Sequence, residues 1–174
     1  MSRREWVAGL GDVNWLNQTE ERAWQGQVIV MDLLFAQIGR ELTEASGLSF
    51  VDYRVLITLA DSEGAKLAMS DLAASLGWSR SRISHQIKRM EARGLVYRVG
   101  NTADKRGADA YLTDHGMSVL KEAVPGQVDR VRKHYIDQLT PEQIKVLAEV
   151  YKSLLGHLQT IEEFPVPSRF ESAD

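Results

Sequence analysis

SDLAASLGWSRSRISHQIKRM, the stretch from Ser70 to Met90, contains the pattern that decides the fold. Ser70 is the expected N-cap of a short helix over DLAASLG, and the turn GWS leads into a second helix. In the second helix Ile83, Ile87 and Met90 fall on one side at about 100° per residue, which makes one apolar stripe. A helix, a tight turn and a second amphipathic helix predict a helix-turn-helix.

The opposite side of the second helix is polar and basic. Arginine can donate two hydrogen bonds to a guanine edge, serine and histidine can bond base edges or phosphates, and a helix N-terminus favours phosphate. Charge alone favours a solvated surface helix, since mixed charge on an exposed face is usual. Two features favour DNA instead: the face has one acid, Glu91, and a second basic element follows. The candidate DNA-contacting residues are Arg80, Ser81, Arg82, Ser84, His85, Lys88 and Arg89.

Charge is distributed unevenly along the chain. The whole sequence of 174 residues has a formal net charge of -3. The segment from Ser79 to Arg106 nevertheless contains eight basic and two acidic residues, a local charge of +6. A basic surface on an otherwise acidic protein favours binding of a polyanion at that one surface.

The second basic element is a predicted β-hairpin. GLVYRVG, from Gly94 to Gly100, alternates Leu95, Tyr97 and Val99 with Val96 and Arg98, a period that predicts a strand. The polar loop NTADKRG and the strand ADAYLT follow, and within the earlier segment AKLAMS the residues Leu67 to Met69 are compatible with a third short strand. A basic hairpin loop can reach a narrow minor groove, which attracts arginine. The candidate residues near the tip are Asp104, Lys105 and Arg106.

Long amphipathic helices are predicted on both sides of this region. Thr19 is the expected N-cap of a helix that ends at Ser46-Gly47, and Ser49 with Asp52 resembles a capping box. Thr113 is the expected N-cap of a helix that Pro125 should kink. Another helix begins at Thr140-Pro141 and runs to Ile161. These helices have more apolar surface than one small domain can cover, so pairing with a second copy is favoured over a monomeric bundle.

The predicted fold is therefore mainly α with a small β-hairpin wing. Residues 1–18 are an N-terminal extension, residues 19–48 and 114–162 form a helical dimerisation region, residues 49–113 form a winged helix-turn-helix, and residues 163–174 are a loose tail. The chain has no cysteine, which excludes thiolate chemistry and thiol-ligated zinc. His115, His134 and His157 are scattered singly, so no metal site is predicted.

Several other classes of protein are disfavoured. The longest apolar run, VIVMDLLFAQIG, is shorter than the roughly 20 residues of a membrane span, and the first residues lack the apolar block of an export signal. A cytoplasmic location is expected. Without a Gly-rich nucleotide loop or a cysteine nucleophile, neither an enzymatic activity nor a cofactor is predicted.

The motifs RGLV, DKR and LT..G, in this order after SDLAASLGWSRSRISHQIKRM, resemble the winged-helix regulators of the multiple-antibiotic-resistance regulator (MarR) family. The resemblance covers about Thr19 to Ile161. It implies a homodimer whose terminal helices interlock, and a wing in which Arg106 enters the minor groove while Asp104 helps to position it. The lack of cysteine excludes the thiol-oxidation sensors of that family.

The resemblance also implies a function. Members usually repress transcription from a double-stranded DNA operator, and many release DNA when a small aromatic or amphipathic effector binds. Trp24, Met31, Tyr53 and Trp78 are candidate effector contacts, although such residues at helical spacing are more often plain core. The alternative is a winged helix that coats DNA without sequence preference or binds protein, with no inducer.

Overall fold

The computed structural model describes residues 12–100 and 107–161. Of these described residues, those up to Ala36 belong to one compact unit and those from Gln37 onward to a second. The helices are α1 (Gln18–Ser46), α2 (Phe50–Ala60), α3 (Met69–Leu76), α4 (Arg80–Glu91), α5 (Asp114–His134) and α6 (Pro141–Ile161), with short 3-10 turns at Glu63–Ala65 and Ile136–Gln138. The strands are β1 (Lys66–Ala68), β2 (Val96–Gly100) and β3 (Ala108–Leu112). The predicted fold class, mainly helical with a small β wing, is confirmed.

Helix α1 begins earlier than predicted. Asn17, rather than Thr19, is its N-cap, because the Asn17 side-chain oxygen accepts hydrogen bonds from the backbone N–H groups of Thr19 and Glu20 at 2.9 and 3.1 Å. Glu20 accepts from the Asn17 backbone N–H at 2.8 Å, which completes a capping box. The predicted end of the helix is confirmed: Ser46 is its last residue, and Gly47 follows with φ at 69°.

Helix α2 begins with the predicted capping box. Ser49 Oγ accepts from the Asp52 backbone N–H at 3.1 Å, and Asp52 Oδ2 accepts from the Ser49 backbone N–H at 3.0 Å. Val55, Leu56 and Leu59 are fully buried in the core of the second unit. The rest of this core includes Leu42, Leu48, Leu72, Leu76, Ile83, Ile87, Met90, Leu95, Val96, Ala110 and Leu120.

The short helix α3 differs from the prediction at its start. Ser70 is not the N-cap: the helix begins at Met69, and the capping position is Ala68, which makes no side-chain hydrogen bond. Ala68 is also the last residue of β1, so the strand leads directly into the helix and leaves no separate capping residue. Gly77, with φ at 65°, ends α3 in the left-handed conformation that glycine adopts without strain.

The three strands form one antiparallel sheet in the order β1-β3-β2. The third strand suggested by AKLAMS is confirmed, and Lys66 pairs with Tyr111. The predicted alternation is wrong at the start of β2, because Leu95 and Val96 are both 2% exposed whereas Tyr97 and Val99 are exposed. Leu95 precedes the strand and lies in the turn that follows α4, where its N–H donates to the Met90 carbonyl.

Helix α5 begins at the predicted cap. Thr113 Oγ1 accepts from the Gly116 backbone N–H at 2.8 Å, and the helix runs without interruption through Pro125 to His134. Helix α6 begins with the predicted capping box, in which Thr140 and Gln143 bond each other reciprocally at 2.9 and 3.3 Å. No helix in residues 12–100 or 107–161 is long and apolar enough to span a bilayer.

Candidate nucleic-acid interface

Helix α4 is anchored by one side and exposed on the other. Ile83, Ile87 and Met90 are at most 1% exposed. The Ser79 side chain caps the helix by accepting from the Arg82 backbone N–H at 3.2 Å. All seven predicted DNA-contacting residues of this helix are exposed. The structure therefore presents the predicted face to solvent, and the contacts of this face with DNA stay a prediction.

Trp78, in the turn between α3 and α4, lies against two arginines. The Arg82 guanidinium carbon is 4.4 Å from the centroid of an indole ring, and that of Arg54 is 5.6 Å away. Such cation–π contacts are favourable by about 0.5–1 kcal/mol at exposed sites. Burial lowers the pKa of the Arg54 guanidinium, and the charge of Arg82 lowers it further. The turn thus gathers two positive charges on one aromatic side chain.

The sequence interpretation missed Arg54 as part of this surface. Arg54 lies in α2, 24 positions before Trp78 in the chain, and Arg54 Nη2 also approaches the Leu76 carbonyl at 3.5 Å. Nothing in its local sequence distinguishes it from an ordinary basic residue of an amphipathic helix. Only the packing of α2 beside the turn brings it to Trp78.

A buried polar network connects α2 to α4. Asp52 is 4% exposed and Gln86 is 3% exposed, and Gln86 Nε2 donates to Asp52 Oδ1 at 2.5 Å. Arg93 Nη1 donates to Asp52 Oδ2 at 2.7 Å, and Arg93 Nη2 donates to the Gly47 carbonyl at 2.9 Å. Burial raises the pKa of the Asp52 carboxyl, but hydrogen bonds from Arg93 and Ser49 outweigh it, so the net shift is downward.

The network continues to the exposed face of α4. Gln86 Oε1 accepts a hydrogen bond from Arg89 Nη2 at 2.5 Å. Arg89 is one of the seven predicted contact residues, whereas Gln86 and Asp52 were not predicted to take part in the site. A glutamine beside the apolar stripe of a helix was the available signal, since a buried amide needs hydrogen-bond partners.

A second polar connection joins α4 to β2 of the wing. Glu91 Oε1 accepts from the Arg98 backbone N–H at 3.0 Å, and Glu91 Oε2 accepts from Arg98 Nε and Nη2 at 3.0 and 2.8 Å. The one acid on the α4 face is thus neutralised by a wing arginine. Consequently it does not oppose an approaching phosphate as a free carboxylate.

The predicted residues at the wing tip, Asp104, Lys105 and Arg106, lie outside the residues that the structure describes. The strands that lead to them are described: Gly100 pairs with Ala108, the last described pair before the segment that joins β2 to β3. The role of Asp104, Lys105 and Arg106 in DNA binding stays a prediction.

The four candidate effector contacts belong to the two compact units. In the first unit, Trp24 is 59% exposed and Met31 is half-buried. In the second unit, Tyr53 and Trp78 pack against the hydrophobic core. Packing of Tyr53 and Trp78 on the core matches the ordinary structural role weighed above, and effector contact stays a prediction for all four.

The histidines were also weighed as metal ligands. His134 Nε2 lies 2.8 Å from Glu41 Oε1, and hydrogen bonds from Gln37 and then His134 lower the pKa of the Glu41 carboxyl. Across residues 12–100 and 107–161, no three histidine or carboxylate side chains are grouped in a way that could bind a metal ion.

Comparison with known proteins agrees with this geometry. A family model described as the MarR family matches residues 46–107. The crystal structure of AbsC, a MarR family transcriptional regulator from Streptomyces coelicolor, is 40% identical, and the alignment covers 85% of this chain and 99% of AbsC with a TM-score of 0.77. Sco3205, a MarR family regulator from the same organism crystallised in complex with DNA, is 37% identical over 90% of this chain and 98% of its own, with a TM-score of 0.80.

Curated relatives have the same type of function. The transcriptional repressor MprA of Escherichia coli (strain K12) is 27% identical over 71% of this chain and 69% of its own length. The transcriptional repressor MdtR of Bacillus subtilis (strain 168) is 27% identical over 76% of this chain and 86% of its own. Both are transcriptional regulators rather than enzymes. Because the chain folds as a winged helix-turn-helix and is 40% identical to AbsC over 85% of its length, it belongs to the MarR family of DNA-binding transcriptional regulators.

Proposed function

We propose that the protein represses transcription by binding, as a homodimer, to a pseudo-palindromic operator in double-stranded DNA. The observation that carries this proposal is the face of α4, which exposes Arg80, Arg82, Lys88 and Arg89 beside a single acid already paired with Arg98. Such a face attracts phosphates and offers arginines to base edges. The names of MprA and MdtR as repressors, and the complex of Sco3205 with DNA, support it.

The proposed dimer would cover apolar surface that a single chain exposes. In the first unit, Trp24, Ile29, Val30 and Leu33 are at least half exposed. Helix α6 has no buried residue, and its apolar side chains are 43–64% exposed at Val146, Val150, Leu154, Leu158 and Ile161. Exposed apolar rows of this kind mark interaction surfaces. We therefore assign residues 19–48 and 114–162 to dimerisation and residues 49–113 to DNA binding.

Two recognition helices related by a two-fold axis would enter successive major grooves. The half-sites of the operator should then lie one helical turn apart, about 34–36 Å. Lys105 and Arg106 of each wing would reach the neighbouring minor groove, with Asp104 orienting Arg106. The protein would act on DNA in the cytoplasm, with no enzymatic step and no cofactor.

Release from DNA would follow binding of a small aromatic or amphipathic effector. A ligand shifts an equilibrium only if it binds one state better than the other. Contact at Trp24, Met31, Tyr53 or Trp78 would give such preference if the ligand favoured a spacing of the two recognition helices that does not match the grooves.

The decisive experiment measures binding to the DNA upstream of the protein's own gene and to random DNA of equal length, at several salt concentrations. We expect a marked preference for the upstream DNA and a steep loss of affinity with salt. Arg106→Ala should weaken operator binding by about 1–3 kcal/mol. Arg132→Ala is the matched control, because it removes an exposed arginine outside the basic segment. Equal affinity for both DNAs would instead indicate a DNA-coating protein, and an unchanged affinity of Arg106→Ala would contradict the role of the wing.

A further inference from the structure

Gln86 is a polar side chain on the buried side of the recognition helix. It is 3% exposed, and both ends of its amide are bonded: Nε2 to Asp52 and Oε1 to Arg89. Because a buried amide without partners costs about 1–3 kcal/mol, the side chain is committed to these two bonds. It therefore connects the interior of the domain to an exposed arginine.

The direction of this amide follows from the chemistry of its partners. Asp52 is buried among donors, since Arg93 and the Ser49 backbone N–H already bond its Oδ2. An ionised carboxylate only accepts hydrogen bonds, so Gln86 must present its NH2 group to Asp52. The amide oxygen then points the opposite way, toward Arg89. The charge of Asp52 thus selects which end of Gln86 faces the arginine.

The position of Asp52 is itself determined by three elements. Its backbone is in the first turn of α2, where Ser49 caps the helix, and its partner Arg93 follows α4 and also bonds the carbonyl of Gly47 just after α1. These contacts leave Asp52 Oδ1 facing α4. The chain of bonds runs from the N-terminus of α2, through Asp52 and Gln86, to the guanidinium of Arg89.

We propose that Asp52 and Gln86 are positioning residues for Arg89, and that this positioning makes Arg89 discriminate between bases instead of only attracting phosphates. The proposal rests on the proposed operator binding. A free arginine side chain has about 2 kcal/mol of rotamer entropy, part of which is lost on forming a defined contact. An arginine already restrained by Gln86 loses less rotamer entropy when it binds DNA. Its remaining N–H groups stay available on the exposed face of α4.

The sharpest test reverses the orientation of the Gln86 side-chain amide. In Asp52→Asn the new amide oxygen still faces Arg93 and Ser49, so its NH2 group faces Gln86. Gln86 must then turn its oxygen to the amide at position 52 and its NH2 group to Arg89. Because the NH2 group and the guanidinium are both hydrogen-bond donors, Arg89 is repelled. We expect the ratio of operator affinity to random-DNA affinity to fall about threefold to tenfold. This loss is smaller than the full discrimination against a wrong base that a good bidentate arginine contact can provide. Affinity for random DNA should stay within about twofold, because every charge on the DNA-facing side is retained.

A compensating double variant provides the rescue. Asp52→Asn with Gln86→Glu places a carboxylate at position 86, which accepts from the asparagine amide and again accepts from Arg89. We expect the operator preference to recover toward that of the wild type. Failure of the double variant to recover any preference, with the fold intact by circular dichroism, would overturn the relay.

The same measurements in an Arg89→Ala background separate positioning from general damage. There Asp52→Asn should leave the operator preference unchanged, because the residue it positions is gone. If Asp52→Asn lowers the preference equally in both backgrounds, it acts through the fold and the proposal is wrong. Gln86→Met, which removes the amide at similar volume, is the second perturbation if Asp52→Asn does not fold, and the same outcomes apply. A wild-type protein without operator preference would instead refute the proposed function.

Discussion

Gly116→Ala should destabilise the protein by about 1–3 kcal/mol, through a close approach between the start of α5 and the segment before β2. A Cβ at position 116 would overlap the carbonyl oxygen of Leu95, and would lie 2.8 Å from Leu112 Cδ1 and 3.0 Å from the Leu95 carbonyl carbon. These distances are well inside van der Waals contact. Glycine at this position therefore allows the first turn of α5 to lie directly against the backbone.

The size of the effect follows from what must move. The Leu95 carbonyl cannot rotate away freely, because it accepts hydrogen bonds from the Thr113 backbone N–H at 3.2 Å and from Thr113 Oγ1 at 3.0 Å. Overpacking of this kind costs about 1–3 kcal/mol, and losing the backbone bond adds about 1 kcal/mol, whereas the Thr113 hydroxyl keeps its shorter bond to the Gly94 carbonyl at 2.7 Å. The higher helix propensity of alanine returns about 1 kcal/mol.

Urea unfolding followed by circular dichroism, at one fixed protein concentration because a dimer's stability depends on it, measures the difference. Gly126→Ala is the matched control in the same helix, since the atoms nearest to its Cβ would be the flexible far end of Arg130, 3.3 Å away at Nη1. We expect this control to be neutral or up to about 1 kcal/mol more stable. If the free energies of unfolding of the two variants differ by less than about 0.5 kcal/mol, the argument from close approach is refuted.

Two further predictions concern Trp78 and Asp52. Trp78→Leu removes the ring that restrains Arg82 and should weaken operator binding about twofold to fivefold, because an unrestrained arginine loses more rotamer entropy on binding; Trp78→Phe should keep most of the affinity in an anisotropy titration with labelled operator DNA, and equal losses would contradict the contact. Because the pKa of Asp52 is below its usual 3.8 in the folded state, its ionised form stabilises the fold above that pH, and this contribution is lost as the pH falls through the folded-state value. The wild type should thus lose more unfolding free energy than Asp52→Asn between about pH 5 and about pH 2, and an equal loss would count against the lowered pKa.

Features that depend on a few neighbouring residues were predicted well from the sequence. The caps at Ser49, Thr113 and Thr140 each bond a residue three positions ahead, so the whole interaction is contained in a short segment. The stripe of α4 was predicted for the same reason. Errors arose where two local signals competed: Asn17 precedes Thr19 and caps α1 in its place, and the strand before α3 leaves Ser70 inside the helix.

Long-range contacts could not be predicted in this way. Asp52 and Gln86 are 34 positions apart, and neither has a spacing signal that points to the other. The strand pattern failed at Leu95 because this residue lies in the turn between α4 and β2, where its N–H donates to the Met90 carbonyl. Such features depend on how α2 and α4 pack, and packing is a property of the whole core.

The basic residues of the α4 face divide into two groups, those that another side chain restrains and those that none does, and this division has a functional consequence. Arg82 lies on Trp78 and Arg89 is bonded by Gln86, whereas Arg80 and Lys88 form no ion pair with another described residue. Free cations attract phosphates without regard to sequence, while restrained guanidiniums favour one geometry and so one base edge. Since α4 is fixed to the domain by its apolar stripe and to β2 through Glu91 and Arg98, the two restrained arginines have defined positions relative to the wing. Sequence discrimination by this helix should therefore depend mainly on Arg82 and Arg89, and its salt-dependent affinity mainly on the others.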